Sequence, residues 1–496
     1  MTPLFANRWL VALPPIWLVG VGAALTLVLA AAGYGLISLV RPRAAAELRV
    51  AMRDGFLGPL AWLLLVFAAT AVAFTPLVPV AQVARSLARM TGGSEASTQV
   101  TIPPHTKAMP VALDLRPQEL QDFELLGDAS LLVRTQQPIA GFALEKVPDV
   151  DLEAGVPWTW KKAEGRTNPF LGQQAQLEAT NAGDEPAGLT IRWRLAPEYP
   201  EAGLLPWTFL TLATLLGGYT LFRLAAPRVA AVASATTKEA IGQPVFAVVI
   251  VLGIVLLLSF IVIPYNTFGE DVKMLKDSGL TLIKVLALLV VVWTASVAVA
   301  DEIEGRTAMT VLSKPLERWQ FIIGKFAGLV LVALLVFLIL GGTLLATTSL
   351  KVVYDARESS KTDPLWAECA AEAITVVPGL ALSLLETILM AAVSLAVSTR
   401  LGMVPNLIVC FAVYTLGHLV PLIVQSSVGR FAIVRFVGQL FATILPVLDH
   451  FTIEAAVVGG VAVPWIYLAW AALYAGLYAT IALLVALVLF QDRDLA

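Results

Sequence analysis

Glu386 is the most conspicuous chemical group in this chain of 496 residues. It stands near the middle of an apolar run at 373–397, with no cation within a helical turn of sequence. An ionisable group at bilayer depth is costly, so it is read first as functional. A lone carboxyl there lines a translocation path or carries a proton. The structural alternative is a carboxyl hydrogen-bonded to a hydroxyl on another helix. Lys284, in the run at 280–300, is expected to snorkel to the outer interface, and His418, near the outer end of the run at 404–424, to be structural.

A second set of charges lies between two apolar runs, in DEIEGRTAMTVLSKPLERWQFIIGKFAG, Asp301 to Gly328. Acids Asp301, Glu302 and Glu304 come first, and bases Arg306, Lys314, Arg318 and Lys325 follow. On a helix this order complements the macrodipole. Ile303, Thr307, Val311 and Leu312 recur at helical spacing, and Pro315 ends the helix by removing a donor and crowding the preceding turn. Trp319 and Phe321 suit a membrane interface. The spacing predicts a short amphipathic helix over 301–316, joined to a span on each side and able to pass a push from a soluble partner into the membrane. Without reference to any family, the same charges also read as a solvated topogenic anchor.

Other chemistries find no footing. A phosphate loop needs an upstream glycine and a Lys-Ser or Lys-Thr ending, whereas Gly324-Lys325-Phe326 has neither and opens a span. The chain is therefore expected to be no enzyme itself. Two cysteines, Cys369 and Cys410, form no CxxC, and three scattered histidines form no metal cluster. A net charge of −3 points to no nucleic acid.

The elements that hold these groups follow from composition. Hydrophobic residues make up 58% and charged residues 14%, with a mean hydropathy of +0.81, far from the balance of a soluble domain. Apolar runs long enough to cross a bilayer lie at 16–40, 57–80, 205–223, 244–264, 280–300, 321–348, 373–397, 404–424 and 464–490. The weaker stretch at 428–463, with Pro446, Asp449, His450 and Phe451, reads as a re-entrant or interfacial helical hairpin, with a tenth span as the alternative. The expected fold is mainly α: a polytopic helical membrane protein of about nine spans. Arg41, Arg43, Arg49 and Arg53, then Arg223, Arg228 and Lys238, then Arg306, Lys314, Arg318 and Lys325 fall in alternate loops, which places those loops in the cytoplasm, the N-terminus outside and the C-terminus inside. Arg85 and Arg89 run against this bias.

Residues 84–204 differ. Short segments alternate apolar and polar residues, as in Ser130–Arg134 and Leu189–Arg194, and Asn181-Ala182-Gly183-Asp184-Glu185 is turn chemistry. An inserted, extracytoplasmic β-rich domain, sandwich-like, is expected here. It is either a binding module for an outer partner or a structural cap.

In its order of residues the 301–328 segment resembles the coupling-helix region of ATP-binding-cassette permeases of the second, exporter-like class. An acid, a threonine, a Ser-Lys-Pro turn, an arginine and a Gly-Lys pair recur there; here they are Glu302 and Glu304, Gly305-Arg306-Thr307, Leu312-Ser313-Lys314-Pro315, Arg318 and Gly324-Lys325. The end of the chain is similar to the same family: Pro446-Val447-Leu448-Asp449-His450-Phe451, then Gly459 and Gly460, then Phe490-Gln491-Asp492-Arg493-Asp494. The likeness covers about 238–496 and implies a six-span permease core at 244–496 with its coupling helix at 301–316. Two spans at 1–83, the insert at 84–204, and a third span with a cytoplasmic linker at 205–243 lie largely outside it. The resemblance further implies a dimer of cytosolic ATPase subunits that binds the ATP and Mg, a second permease copy or paralogue, membrane lipid, and residence in a bacterial inner (plasma) membrane. This chain would bind no cofactor of its own. Glu302, Glu304 and Arg306 would meet the ATPase groove, with Lys314 and Arg318 at its rim. A membrane scaffold using the same ATPase to drive an outer assembly is the alternative. An ion-coupled secondary transporter resting on Glu386 comes third.

Overall fold

The computed structural model describes residues 12–40, 56–92, 95–113, 119–135, 149–161, 169–170, 175–195, 199–263, 270–301, 317–358, 364–425, 444–452 and 463–491, with single positions between them (42, 46, 49, 50, 52, 115, 197, 433, 436–438 and 440). Its helices are α1 (Leu13–Val40), α2 (Leu57–Phe74), α3 (Val80–Gly92), α4 (Leu204–Ala225), α5 (Pro227–Gly242), α6 (Pro244–Ser259), α7 (Asp271–Ala295), α8 (Arg318–Glu358), α9 (Trp366–Ile374), α10 (Val377–Ser398), α11 (Met403–Gln425) and α12 (Trp465–Gln491). The chain divides into two compact units, one of residues 1–78 with 204–496, the other of residues 79–203.

The apolar runs named above fall mainly on helices of the first unit, with that at 373–397 crossing the break between α9 and α10. Seven helices are long and apolar enough to cross a membrane among the described residues, eight if the bent pair α5–α6 counts as one span; α11 belongs to the shorter apolar helices. The outer surface stays apolar, with Leu29, Leu36 and Leu39 of α1, Val66 and Val72 of α2, and Leu473, Leu477, Ile481 and Leu484 of α12 all exposed. In water so wide an apolar surface would drive association, whereas lipid tails accept it. This is the pattern of a multi-pass membrane protein.

Proline placement explains the bend. Gln243 is extended (φ −78°, ψ 138°) because Pro244 follows it, and the two helices meet at 66°. Residues 227–242, expected as a linker, form a helix whose small face (Ala230, Ala233, Thr236, Thr237, Ala240) is buried. It lies on α8 where Gly324 and Gly328 stand one turn apart. A Cβ on Gly324 would meet Val232 Cβ at 2.6 Å, and one on Gly328 would meet Ala233 O at 2.9 Å. This is small-xxx-small packing, and Thr237 Oγ1 donates across it to Gly328 O at 3.3 Å.

The first spans join the same core. Ala23 of α1, Leu57, Leu60 and Leu64 of α2, and Leu212 and Tyr219 of α4 cluster with Ala233 of α5 and Leu331 and Leu335 of α8. At the other side an alanine stripe on α12 (Ala471, Ala475, Ala479, Ala482, Ala486) is buried; Ala392 packs on its centre and Leu395 near its end.

The second unit holds two four-stranded antiparallel sheets. Their orders are β1-β8-β3-β6 and β2-β7-β4-β5, from β1 (Glu95–Ile102), β2 (Thr106–Leu113), β3 (Leu120–Gly127), β4 (Leu131–Thr135), β5 (Val150–Leu152), β6 (Trp158–Lys161), β7 (Ala175–Asn181) and β8 (Ala187–Leu195). Alternate residues of β3, β7 and β8 point into one apolar core that includes Phe123, Leu177, Ile191 and Trp160. Asn181 shapes the β7–β8 turn as expected: its Oδ1 accepts from Gly183 N at 2.9 Å and its Nδ2 donates to Glu185 O at 2.9 Å. Residues 84–92, expected as β-rich, instead close the amphipathic helix α3, on which Ser86 and Gln82 hold Tyr199.

Candidate functional site

The residues that converge in the helical unit are buried charges. Glu386, on α10, is fully buried. Lys284, in the middle of α7, brings Nζ to 3.7 Å from Glu386 Oε2, and His418, on α11, brings Nε2 to 3.3 Å from Oε1. Lys284 is 4% exposed, so it does not snorkel. It lies midway along α7, too deep for its stem to reach an end, and a carboxylate meets it there. His418 likewise belongs to the cluster, and its ring lies against Tyr414 with centroids 4.7 Å apart.

Two further pairs follow α7 toward its N-terminus. Lys276 pairs with Glu372 of α9 and donates to Thr375 Oγ1 at 2.7 Å. Asp271, in the first turn of α7, lies 3.3 Å from the fully buried Lys351 Nζ of α8. That amine also donates to Ile261 O at 3.3 Å and Ile263 O at 3.5 Å. Three helices thus meet α7 through ion pairs. Such pairs fix which helix sits against which more than they add net stability.

On the other side of the triad the polar line is neutral. Asn406 of α11 donates from Nδ2 to Ser296 Oγ at 2.8 Å and to Ser394 Oγ at 3.0 Å, and Cys410 Sγ donates to its Oδ1 at 3.3 Å. Asn406, Cys410, Tyr414 and His418 stand four residues apart, so they share one face of α11. That repeat, together with the charge in the 280–300 run, was the available signal for the triad's partners.

Of the residues singled out by sequence, Glu302, Glu304, Gly305, Arg306, Thr307, Leu312, Ser313, Lys314 and Pro315 lie outside the described residues, and with them most of the 301–316 helix. What flanks them is described. α7 continues as a π-helical stretch, Ser296–Asp301, a distortion common at working positions. Arg318, at the start of α8, donates to Gln491 O at 2.8 Å and Phe490 O at 3.5 Å, a cation satisfying the last carbonyls of α12. Gly324 and Lys325 are buried within α8. Lys325 Nζ sits 5.4 Å over the Phe321 ring, which stacks on Phe490.

The Pro446–Phe451 segment is held by tyrosines of α12. Val447 N donates to Tyr474 OH at 2.9 Å, Tyr478 OH donates to Ile444 O at 2.7 Å, and Tyr467 OH donates to His450 O at 2.6 Å. Leu448 and Phe451 are buried, while Asp449 and His450 face outward. No family model matches the chain, and no curated protein matches it.

Proposed function

We propose that this chain is the permease subunit of an ATP-binding-cassette transporter, coupling ATP hydrolysis by a separate cytosolic ATPase to export or translocation of a substrate. The observation that carries the reading is the ordered set Glu302, Glu304, Arg306-Thr307, Ser313-Lys314-Pro315, Arg318 and Gly324-Lys325 between two long apolar helices. The frame around that segment supports it. α7 and α8 pack together through Leu286, Val290, Val336 and Leu340, and Arg318 fastens the start of α8 to the end of α12. A force on 302–316 therefore acts on three helices at once. The reading places the chain in a bacterial inner membrane with 302–316 in the cytoplasm, the N-terminus and the β unit outside, a second permease copy beside it, and ATP with Mg on the ATPase. The stretch at 428–463, expected as a re-entrant or interfacial hairpin, lies mostly outside the described residues.

The test is co-purification of the ATPase from native membranes. Charge reversal, Glu302→Lys with Glu304→Lys, should abolish it while membrane insertion persists. If the wild-type chain retains no ATPase where a known permease does, the reading fails. The separate compactness of residues 79–203 favours one alternative, a scaffold that drives an outer assembly. On that alternative, deleting the β unit abolishes partner capture; a transporter keeps substrate-stimulated ATPase activity.

A further inference from the structure

We propose that α3 is a membrane-interface helix whose Arg85 binds the headgroup phosphates of anionic phospholipids. This rests on the membrane-spanning character of the helical unit and does not depend on an ATPase.

The chain ties α3 to the ends of two spans. The apolar helix that begins with α2 closes at Leu77, and Val78 is extended (φ −109°, ψ 133°) because Pro79 follows. Val80 therefore opens α3 within about 11 Å of chain from the end of that span. Along its flank the helix packs on the residues that lead into the next candidate span, Pro200–Ala225. Ser86 Oγ accepts from Tyr199 N at 3.2 Å, and Gln82 Oε1 accepts from Tyr199 OH at 2.9 Å. A Cβ on Gly203 would meet Met90 Sδ at 3.2 Å. Gln82, Ser86 and Met90 stand four residues apart, so one edge of α3 lies along 199–203. Trp207, one turn into α4, is 69% exposed, and tryptophan is enriched at headgroup level.

The rest of the helix surface has the chemistry of an interface. Val80, Ala84 and Ala88, again four residues apart, are exposed and form an apolar stripe. Arg85 is exposed beside it, and a second arginine, Arg89, follows four residues later in the sequence. The 13 residues of α3 include no acid. Arg85 Nε donates to Ala81 O at 3.0 Å. That bond seats the guanidinium against its own helix and leaves the paired terminal N–H groups, a fork that matches a phosphate. An apolar stripe with cations alongside lies in the plane of a bilayer surface, its stripe at the acyl boundary and its charges among phosphates. Arg85 and Arg89 run against the loop bias that orients the chain. As headgroup ligands they answer a phosphate layer rather than set an orientation.

The experiment uses the full chain in phosphatidylcholine nanodiscs. A nitroxide is attached through Ala84→Cys, and for reference through Val66→Cys on the exposed face of α2 and Ser97→Cys on β1. Cys369 and Cys410 are buried, and the unsubstituted chain corrects for any label they take up. Oxygen, which concentrates in lipid, and a water-soluble nickel chelate then report depth by collision. The Ala84 label is expected between the other two, more open to oxygen and less open to the chelate than the Ser97 label. Equal chelate access at Ala84 and Ser97 would overturn the proposal. Dipolar broadening between Ala84 labels would do the same, since a second copy would then cover the face. For the headgroup, a bimane on Ala84→Cys is quenched by spin-labelled phosphatidylglycerol titrated into the nanodiscs. Arg85→Gln should raise the mole fraction needed for half quenching roughly fivefold, the effect of one arginine at an anionic surface. Glutamine has nearly the helix propensity of arginine, so the change removes charge and keeps the helix. An unmoved half-quenching point would also overturn the proposal.

Discussion

The helical unit and the β unit both carry ion pairs, in opposite surroundings. In the β unit, Arg194 and Asp122 lie 3.8 Å apart on the outward face of their sheet with side chains 57% and 43% exposed. Arg192 and Glu124 form the next rung at 4.0 Å. Water solvates both members, so each survives the loss of its partner. In the helical unit Lys284 and Glu386 are at most 5% exposed, and Lys351 is shielded as fully. There a lone charge has nowhere to go. The same residue types decorate one unit and constrain the other.

The sharpest way to break this contrast is Glu386→Ala, which strands the Lys284 ammonium. It should cost about 3–5 kcal/mol of stability, read as an earlier midpoint in denaturant unfolding of the detergent-solubilised chain. Replacing both partners, Lys284→Met with Glu386→Leu, should recover most of that loss, because a buried pair adds little over apolar groups of similar size. An unchanged midpoint for Glu386→Ala would mean the burial difference carries no energetic weight.

Gly328→Leu probes the helical unit without touching a charge. The added side chain has no room against Ala233 and Thr236 of α5, so a loss of about 1–3 kcal/mol is expected, with α5 displaced from α8 in cysteine cross-linking. Arg318→Ala removes the cation over the last carbonyls of α12. Its exposed setting limits the loss to about 1 kcal/mol, best seen as faster amide exchange in the last turn of that helix. The smallest effect belongs to the β unit: a double-mutant cycle of Asp122→Ala and Arg194→Ala should give a coupling below about 1 kcal/mol. High salt should remove it. A coupling as large as that of the buried pairs would erase the comparison.

Hydropathy foretold the helices because bilayer-length apolar runs have few other uses; each such run is largely helical here. Alternation and the Asn181 turn likewise foretold β4, β8 and the corner between β7 and β8. Partnership between helices was the hidden part. A run of sequence shows that Glu386 is buried but not which helix faces it, so Lys284 read as a snorkelling lysine and the contact of His418 with Glu386 stayed hidden. The helix at 227–242 escaped notice because alanines and threonines are too polar for a span and too regular for a turn. Their use appears only beside Gly324 and Gly328. Most of the residues that carry the likeness to the permease family, 302–316, lie outside the described residues, while Arg318, Gly324 and Lys325 lie within them.

One feature of α8 has a mechanical side. It runs 41 residues without a break, about 60 Å at 1.5 Å per residue, roughly twice the hydrocarbon thickness of a bilayer. Its close contact with α5, at Gly324 and Gly328, sits near one end. Taken as a fulcrum, that contact leaves a short arm of about 12 Å toward Arg318 and a long arm of about 48 Å toward Glu358. Any rigid tilt about it moves the far end roughly four times as far as the near end. A displacement of a single ångström beside the 302–316 segment is thus geared up fourfold across the membrane, with Lys351 riding near the tip of the longer arm.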